Sequence, residues 1–129
     1  MAGPLIYLGT HAIQEGKAGI AREASRQLGQ FLEANHPRMI HFEIYIDDAA
    51  SEMTVIQIHL DEASLVLHLK LAGEKIAQAY EFLKGTTKIE IYGTPSDALR
   101  QQIQQMAMGA PVRFNAADAG FTRLAEATV

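Results

Sequence analysis

Apolar positions along this chain recur with two different periods. In four short runs, residues 4–13, 39–47, 52–60 and 87–92, β-branched and aromatic residues alternate with polar ones, which predicts β-strands. Between the first two runs, Ile20, Ala24, Leu28, Phe31 and Leu32 stand three or four apart, so residues 17–35 predict a helix with one apolar stripe, stopped at Asn35, His36 and Pro37. Between the last two, Asp61 is placed to cap a longer helix whose stripe is Leu65, Leu69, Ala72, Ile76, Tyr80 and Leu83. Gly73 is positioned to break that helix and Gly85 to follow its end. A third helix is expected from Ser96 through Leu99, Ile103 and Met106 towards Gly109 and Pro111. The remainder offers one short strand, and Phe114, Phe121 and Leu124 predict a tail that docks. The order is β-α-β-β-α-β, one α+β domain spanning residues 1–129, with its core at 4–93 and a C-terminal helix and tail at 95–129.

Strands two and three are separated by only Ala49, Ala50 and Ser51, which forces an antiparallel hairpin. Pairing Asp48 with Glu52 sets Asp47 against Met53, Tyr45 against Val55, Glu43 against Gln57 and His41 against His59. In this register Ile40, Phe42, Ile44 and Ile46 join Ile56, Ile58 and Leu60 on one apolar face beneath the helices. The opposite face carries His41, Glu43, Tyr45, Asp47, Gln57 and His59 among Met39, Met53 and Val55. Strand one is expected to add Tyr7, Gly9 and His11 to it and strand four Lys88, Glu90 and Tyr92, while Ile6, Leu8, Ile89 and Ile91 enter the core. A mixed face of this kind predicts a sheet that pairs with a second copy of itself, plain solvation being the alternative.

Composition narrows the chemistry. With 48% hydrophobic and 20% charged residues the whole chain is expected to fold, and with no cysteine it has neither a disulfide framework nor a thiolate nucleophile. The eleven Lys and Arg residues are scattered under a net charge of -4, which argues against a nucleic-acid partner. The opening MAGPLIYLGTHAI lacks a basic region, and no stretch approaches the roughly 18 apolar residues of a membrane span, so a soluble cytoplasmic protein is expected. Phosphate-loop, Gly-x-Ser-x-Gly and His-Glu-x-x-His patterns are absent.

Several residues remain as candidates. The expected register brings His41 and His59 together with Glu43 nearby, a weak divalent-metal set whose alternative is a pair of surface or interface histidines. His11 and Tyr7 of strand one are further candidates, but antiparallel pairing with strand three is expected to carry His11 towards Met53, away from His59. In the tail, Arg123 is available to hold an anion over a pocket, unless residues 119–124 merely strap the chain's own helix.

The element order and the run HPRMIHFEIYIDDAASEMTVIQIHLDEASLVLHL at 36–69 resemble the antibiotic biosynthesis monooxygenases, dimeric α/β barrels. The likeness covers residues 5–92. It is carried by Glu-Gly-Lys at 15–17, the Pro37 turn, the hairpin with its acidic end, and Ala-Ser-Leu-x-x-His-Leu at 63–69. It implies a ferredoxin-like sheet in the order 4-1-3-2 with two helices on one face, and a homodimer packed sheet to sheet. It also implies oxygenation of phenol- or quinol-type substrates without a cofactor. Oxygenases of this family are described with an asparagine, a tryptophan and a histidine around the substrate; this chain has no tryptophan, and only His68 falls on the family's histidine position. His68 stands at the edge of the stripe set by Leu65 and Ala72. It faces either a cavity, where an imidazole of ordinary pKa near 6.5 takes a proton at neutral pH, or a backbone carbonyl that satisfies it as a boundary residue. The alternatives to an enzyme are a non-catalytic small-molecule-binding module and a structural homodimer of the same fold.

Overall fold

The computed structural model describes residues 3–123. Five strands form one sheet: β1 (Leu5–Ile13), β2 (Met39–Asp47), β3 (Glu52–His59), β4 (Leu83–Tyr92) and β5 (Val112–Asn115), in the order β2-β3-β1-β4-β5. Helices α1 (Ala18–Asn35), α2 (Glu62–Gln78) and α3 (Asp97–Met106) alternate with them. The first four strands keep the ferredoxin-like order, and β5 departs from it by adding parallel to β4 at the edge. Among the described residues no helix is long and apolar enough to cross a membrane.

Local chemistry fixes the helix ends. Asp61 Oδ1 accepts the Ser64 N–H at 3.0 Å and caps α2, and Arg38 holds the same carboxylate. Ser96 caps α3 through its hydroxyl and is clamped to the start of α2 by Glu62, which accepts the Ser96 N–H at 2.7 Å and its O–H at 2.6 Å. Gly73 does not break α2, which runs on into a 3-10 turn at Ala79–Glu81. Gly85 lies inside β4 beside a register shift against β1, because the strand begins at Leu83 rather than after the glycine.

The hairpin register differs from the expected one by a single residue. Asp47 pairs with Glu52, Ile46 with Met53, Ile44 with Val55 and Phe42 with Gln57. The turn takes Asp48 as well: Asp47 Oδ1 accepts the Ala50 N–H at 3.1 Å, and Ser51 sits in the left-handed region at φ 53. A one-residue slip turns a strand over. Hence β2 keeps Phe42, Ile44 and Ile46 towards the helices, whereas β3 turns Met53, Val55, Gln57 and His59 inward and leaves Ile56 and Ile58 on the outer face. Strand β1 corrects the expectation in the same sense. Tyr7, Gly9 and His11 lie over Gln57, Val55 and Met53, and Ile6 and Leu8 face outward with Ile58 and Ile56. Strand β4 is as expected, with Ile89 and Ile91 buried.

The core falls into two clusters. Leu5, Leu65, Ile91, Leu99 and Ile103 pack at one end, and Ile13, Ala21, Met53, Phe82 and Leu83 at the other. Phe114 packs on the first cluster, with the Arg100 guanidinium 4.2 Å from its ring centre. The tail does not dock through Phe121, which is 82% exposed; Leu124 lies outside the described residues.

Candidate functional site

Between the two clusters lies a cavity of about 250 Å³, bounded by side chains from both. Tyr7, His11, Met53, Val55, Gln57 and Ile89 of the sheet form its floor. Ala24 and Leu28 of α1, with His68 and Ile76 of α2, close it from above. The walls are mostly hydrocarbon; Tyr7, His11, Gln57 and His68 are among the polar residues that line it, together with Lys75, Gln78 and Glu81, a make-up compatible with a small-molecule site. A larger depression, about 840 Å³, runs beside α1 and the free edge of β2; exposed Arg22, Arg26 and Glu33 line it together with half-buried Phe42 and Ile44 and the buried His36.

His68 belongs to a buried imidazole triad. Its ring centre lies 5.8 Å from that of His59 and 6.3 Å from that of His36, and those two are 6.0 Å apart. All three are almost fully buried. Burial, helped by the neighbouring rings, lowers the His68 pKa to about 4 and that of His59 to about 3, so both are neutral at pH 7. With His59 neutral its hydrogen bonds have one sense. Ser64 Oγ–H donates to Nδ1 at 2.7 Å, and Nε2–H donates to Gln57 Oε1 at 2.9 Å. The oxygen of Gln57 is thereby committed, and its amide N–H groups are what the side chain offers to the cavity. His36 Nε2 donates to the Ser64 carbonyl at 2.9 Å. The Nδ1 atoms of His36 and His68 are buried without a partner. For His68 this departs from the boundary reading, in which a carbonyl satisfies the ring.

Tyr7 supplies the second polar wall. Burial, reinforced by Tyr80, raises its pKa to about 12, so the hydroxyl stays protonated and able to donate. Its ring lies over Gly9, towards His11, whose Nδ1 is 3.1 Å from Thr86 Oγ1. Burial lowers the His11 pKa. A Cβ at position 9 would stand 2.9 Å from Tyr7 Cε1, 3.0 Å from its hydroxyl and 3.2 Å from His11 Nε2, so glycine is what lets these side chains lie flat on the cavity floor. Gly9→Ala is expected to lose about 1–3 kcal/mol of stability by overpacking. Most of that loss should vanish in a Tyr7→Leu background, which a urea-denaturation double-mutant cycle measures; an undiminished penalty would place the clash elsewhere.

The candidates read from the sequence separate onto the two faces of the sheet. Tyr7, His11, Gln57 and His59 lie beneath the helices with His68, while His41, Glu43, Tyr45 and Tyr92 lie on the outer face. The expected His41–His59–Glu43 set is therefore broken, because the register slip puts His59 on the opposite side from the other two. No cluster of three His, Asp or Glu residues among the described residues is arranged to hold a metal ion. Arg123 stacks its guanidinium 4.8 Å from the Phe121 ring centre and borders neither depression. His36 was not among the sequence candidates. Standing between a helix end and Pro37, it carries no pattern that marks it, and only the return of the chain along β3 brings it to His59 and His68.

The outer face has an apolar centre and a polar rim. Its rows run His41, Ile58, Ile6, Tyr92; then Glu43, Ile56, Leu8, Glu90; then Tyr45, Thr54, Thr10, Lys88. Tyr45 and Tyr92 are 48% and 39% exposed, too open for tyrosines serving their own core.

No family model and no curated protein matches the sequence. Solved structures do. MupZ from Pseudomonas fluorescens aligns with a TM-score of 0.75 over 95% of this chain and 96% of its own, at 15% identity. A protein assigned as an antibiotic biosynthesis monooxygenase from Caulobacter crescentus CB15 aligns with a TM-score of 0.65 over 74% of this chain and 92% of its own, at 16% identity. The chain has the fold of the antibiotic biosynthesis monooxygenases. A protein of unknown function from Bacteroides thetaiotaomicron, described as a possible oxidoreductase, aligns with this chain at a TM-score of 0.60 and 14% identity, over 71% of this chain and 98% of its own. The match to MupZ extends over 95% of this chain, against 74% for the Caulobacter protein.

Proposed function

We propose that the protein is a cofactor-independent oxygenase acting in the helix–sheet cavity on a phenol- or quinol-type substrate. The observation that carries this reading is His68: a neutral imidazole with an unpartnered nitrogen, buried beside a partly enclosed cavity in a fold shared with proteins assigned as monooxygenases. In the proposed step His68 takes the substrate's hydroxyl proton. A base of such lowered pKa is weak alone, so the step relies on the pair it creates, imidazolium beside phenolate in a water-poor site, with Gln57 N–H and Tyr7 O–H donating to the anion. For a phenol with a free ring position the balance closes without a cofactor. One atom of dioxygen becomes the second quinone carbonyl oxygen, and the other leaves as water with the phenolic and ring hydrogens. All four electrons that dioxygen accepts come from the substrate.

Oxygen uptake by purified protein with simple phenols and quinols, no cofactor added, tests the proposal. His68→Ala is expected to lower turnover by about 10²–10⁴-fold, the usual worth of a positioned base. Ligand binding without uptake would favour a binding module instead, and uptake untouched by the substitution would remove His68 from the mechanism. We further propose that the protein works in the cytoplasm as a homodimer joined through the outer sheet face, whose apolar centre of Ile6, Leu8, Ile56 and Ile58 supports such pairing.

A further inference from the structure

We propose that Ser64 and His59 are positioning residues that make Gln57 an obligate hydrogen-bond donor, so that the cavity selects ligands burying an acceptor oxygen, a phenolate or a carbonyl. This deepens the reading of the cavity as a small-molecule site and rests on it. Neither Ser64 nor His59 lines the cavity, yet both are wholly buried, and Gln57, which does line it, is 4% exposed. Hydrocarbon side chains in these places would pack without any hydrogen-bond demand. Three buried polar side chains in a row therefore act as a specifying device rather than as a source of stability.

One proton fixes the sense of the whole row. Ser64 is a rigid starting point in the first turn of α2, where the Asp61 cap holds its N–H at 3.0 Å and His36 Nε2 holds its carbonyl at 2.9 Å. Its hydroxyl has two acceptors within reach, His59 Nδ1 at 2.7 Å and the Arg38 carbonyl at 3.4 Å. The first is a strong contact and the second lies beyond the ordinary range for a hydroxyl donor. Donation to Nδ1 leaves the ring proton on Nε2, which calls for the carbonyl oxygen of Gln57 at 2.9 Å and turns its amide N–H groups to the cavity. The opposite tautomer would make Nε2 an acceptor, flip the amide and present a carbonyl to the ligand. Tyr7 O–H offers a second donor from the same floor, so the pair suits an acceptor oxygen and penalises a group that can only donate.

Two measurements test the relay. Heteronuclear NMR of the imidazole nitrogens in the ligand-free wild type, which needs no variant, is expected to show His59 protonated at Nε2; a proton on Nδ1 would overturn the proposal. The second follows 4-nitrophenol, whose anion absorbs visible light, as it ionises in the cavity. One hydrogen bond to a charged acceptor moves a pKa by roughly one to two units, so Gln57→Leu should raise the bound phenol's pKa by about that much, and Ser64→Ala should reproduce most of the rise. The double variant should rise no further than Gln57→Leu alone, because Ser64 acts only through Gln57; additive rises would make Ser64 merely structural and overturn the relay. The titratable groups on the cavity wall, Tyr7, His11, His68, Lys75, Tyr80 and Glu81, are the same in every variant, so their influence cancels. A pKa unchanged in Ser64→Ala would overturn the relay while leaving the cavity reading intact. Failure of 4-nitrophenol to bind the wild type would overturn both. The expected rises without oxygen uptake from any phenol would uphold the relay and remove the oxygenase reading.

Discussion

Lowering the pH from 7 to 5 is expected to remove on the order of 3 kcal/mol of folding stability, a large share of what a domain of this size has to lose. Burial holds His59 near 3 and His68 near 4 in the folded protein, whereas in the unfolded chain both return to about 6.5. The unfolded state therefore binds more protons than the folded state over this interval, and stability rises with pH. It is fully present above about 6.5 and is lost progressively as the pH falls towards the folded-state values. His11, lowered by burial, adds in the same direction. Asp61 faces His59 and opposes its shift, although weakly; its own pKa is lowered by Arg38, so its loss of stability belongs to more acid conditions and leaves the interval clean. Protonating either His59 or His68 also places a charge 5.8 Å from the other ring, which makes the second protonation harder without unfolding. Urea midpoints at half-unit pH intervals measure the effect. His68→Leu, which replaces a titrating ring by a hydrocarbon of similar bulk, should roughly halve the slope. A wild-type midpoint that holds between pH 7 and 5 would mean that the triad is solvated or already protonated in the folded protein.

The second large effect concerns assembly. Ile58→Lys is expected to convert a dimer into a monomer, raising the dimer Kd by at least about 10³-fold, or roughly 4 kcal/mol. Ile58 lies between His41 and Ile6 in the apolar centre of the outer face, and two-fold symmetry would bury two ammonium groups for each substitution. The fold should survive, since this side chain contributes nothing to the helix-side core. A rim substitution, Glu43→Lys, should alter assembly by less than tenfold, because rim charges stay hydrated. Sedimentation equilibrium of the three proteins decides the matter. A monomeric wild type, or a dimeric Ile58→Lys, would show that the face is not the interface.

These two experiments interrogate opposite faces of one sheet, and the difference between the faces comes down to one residue in a turn. The alternation in β2 and β3 was legible in the chain, and so was the division of their residues into two sets apiece. Which set of β3 joins which set of β2 was not legible. A loop of Ala49, Ala50 and Ser51 and a loop that also takes in Asp48 leave nearly the same pattern, while the pairing they impose is inverted. Joining Ile56 and Ile58 to the apolar face of β2 would have made the most hydrophobic single face. The protein instead divides its apolar residues between the two faces of the sheet, a buried helix-side core and a half-buried outer patch, and gives the core Gln57 and His59 in exchange.

The candidate site was legible only in part for the same reason. His68 could be placed at the margin of the α2 stripe, and Tyr7, Gln57, His59 and His11 could be grouped as one set; their position beneath the helices and their neighbour His36 could not be foreseen. The sequence by itself determined the order of elements, the strand and helix runs and the Asp61 and Ser96 caps, because each depends on local periodicity, on short connections or on capping chemistry, while the four-strand order followed only from the family resemblance. Only the tertiary structure decided which face each strand turns inward, how the core divides around a cavity, and that three histidines far apart in the chain share one dry pocket. Such outcomes depend on register and long-range packing, where a shift of one residue costs the local pattern almost nothing and reverses every side chain.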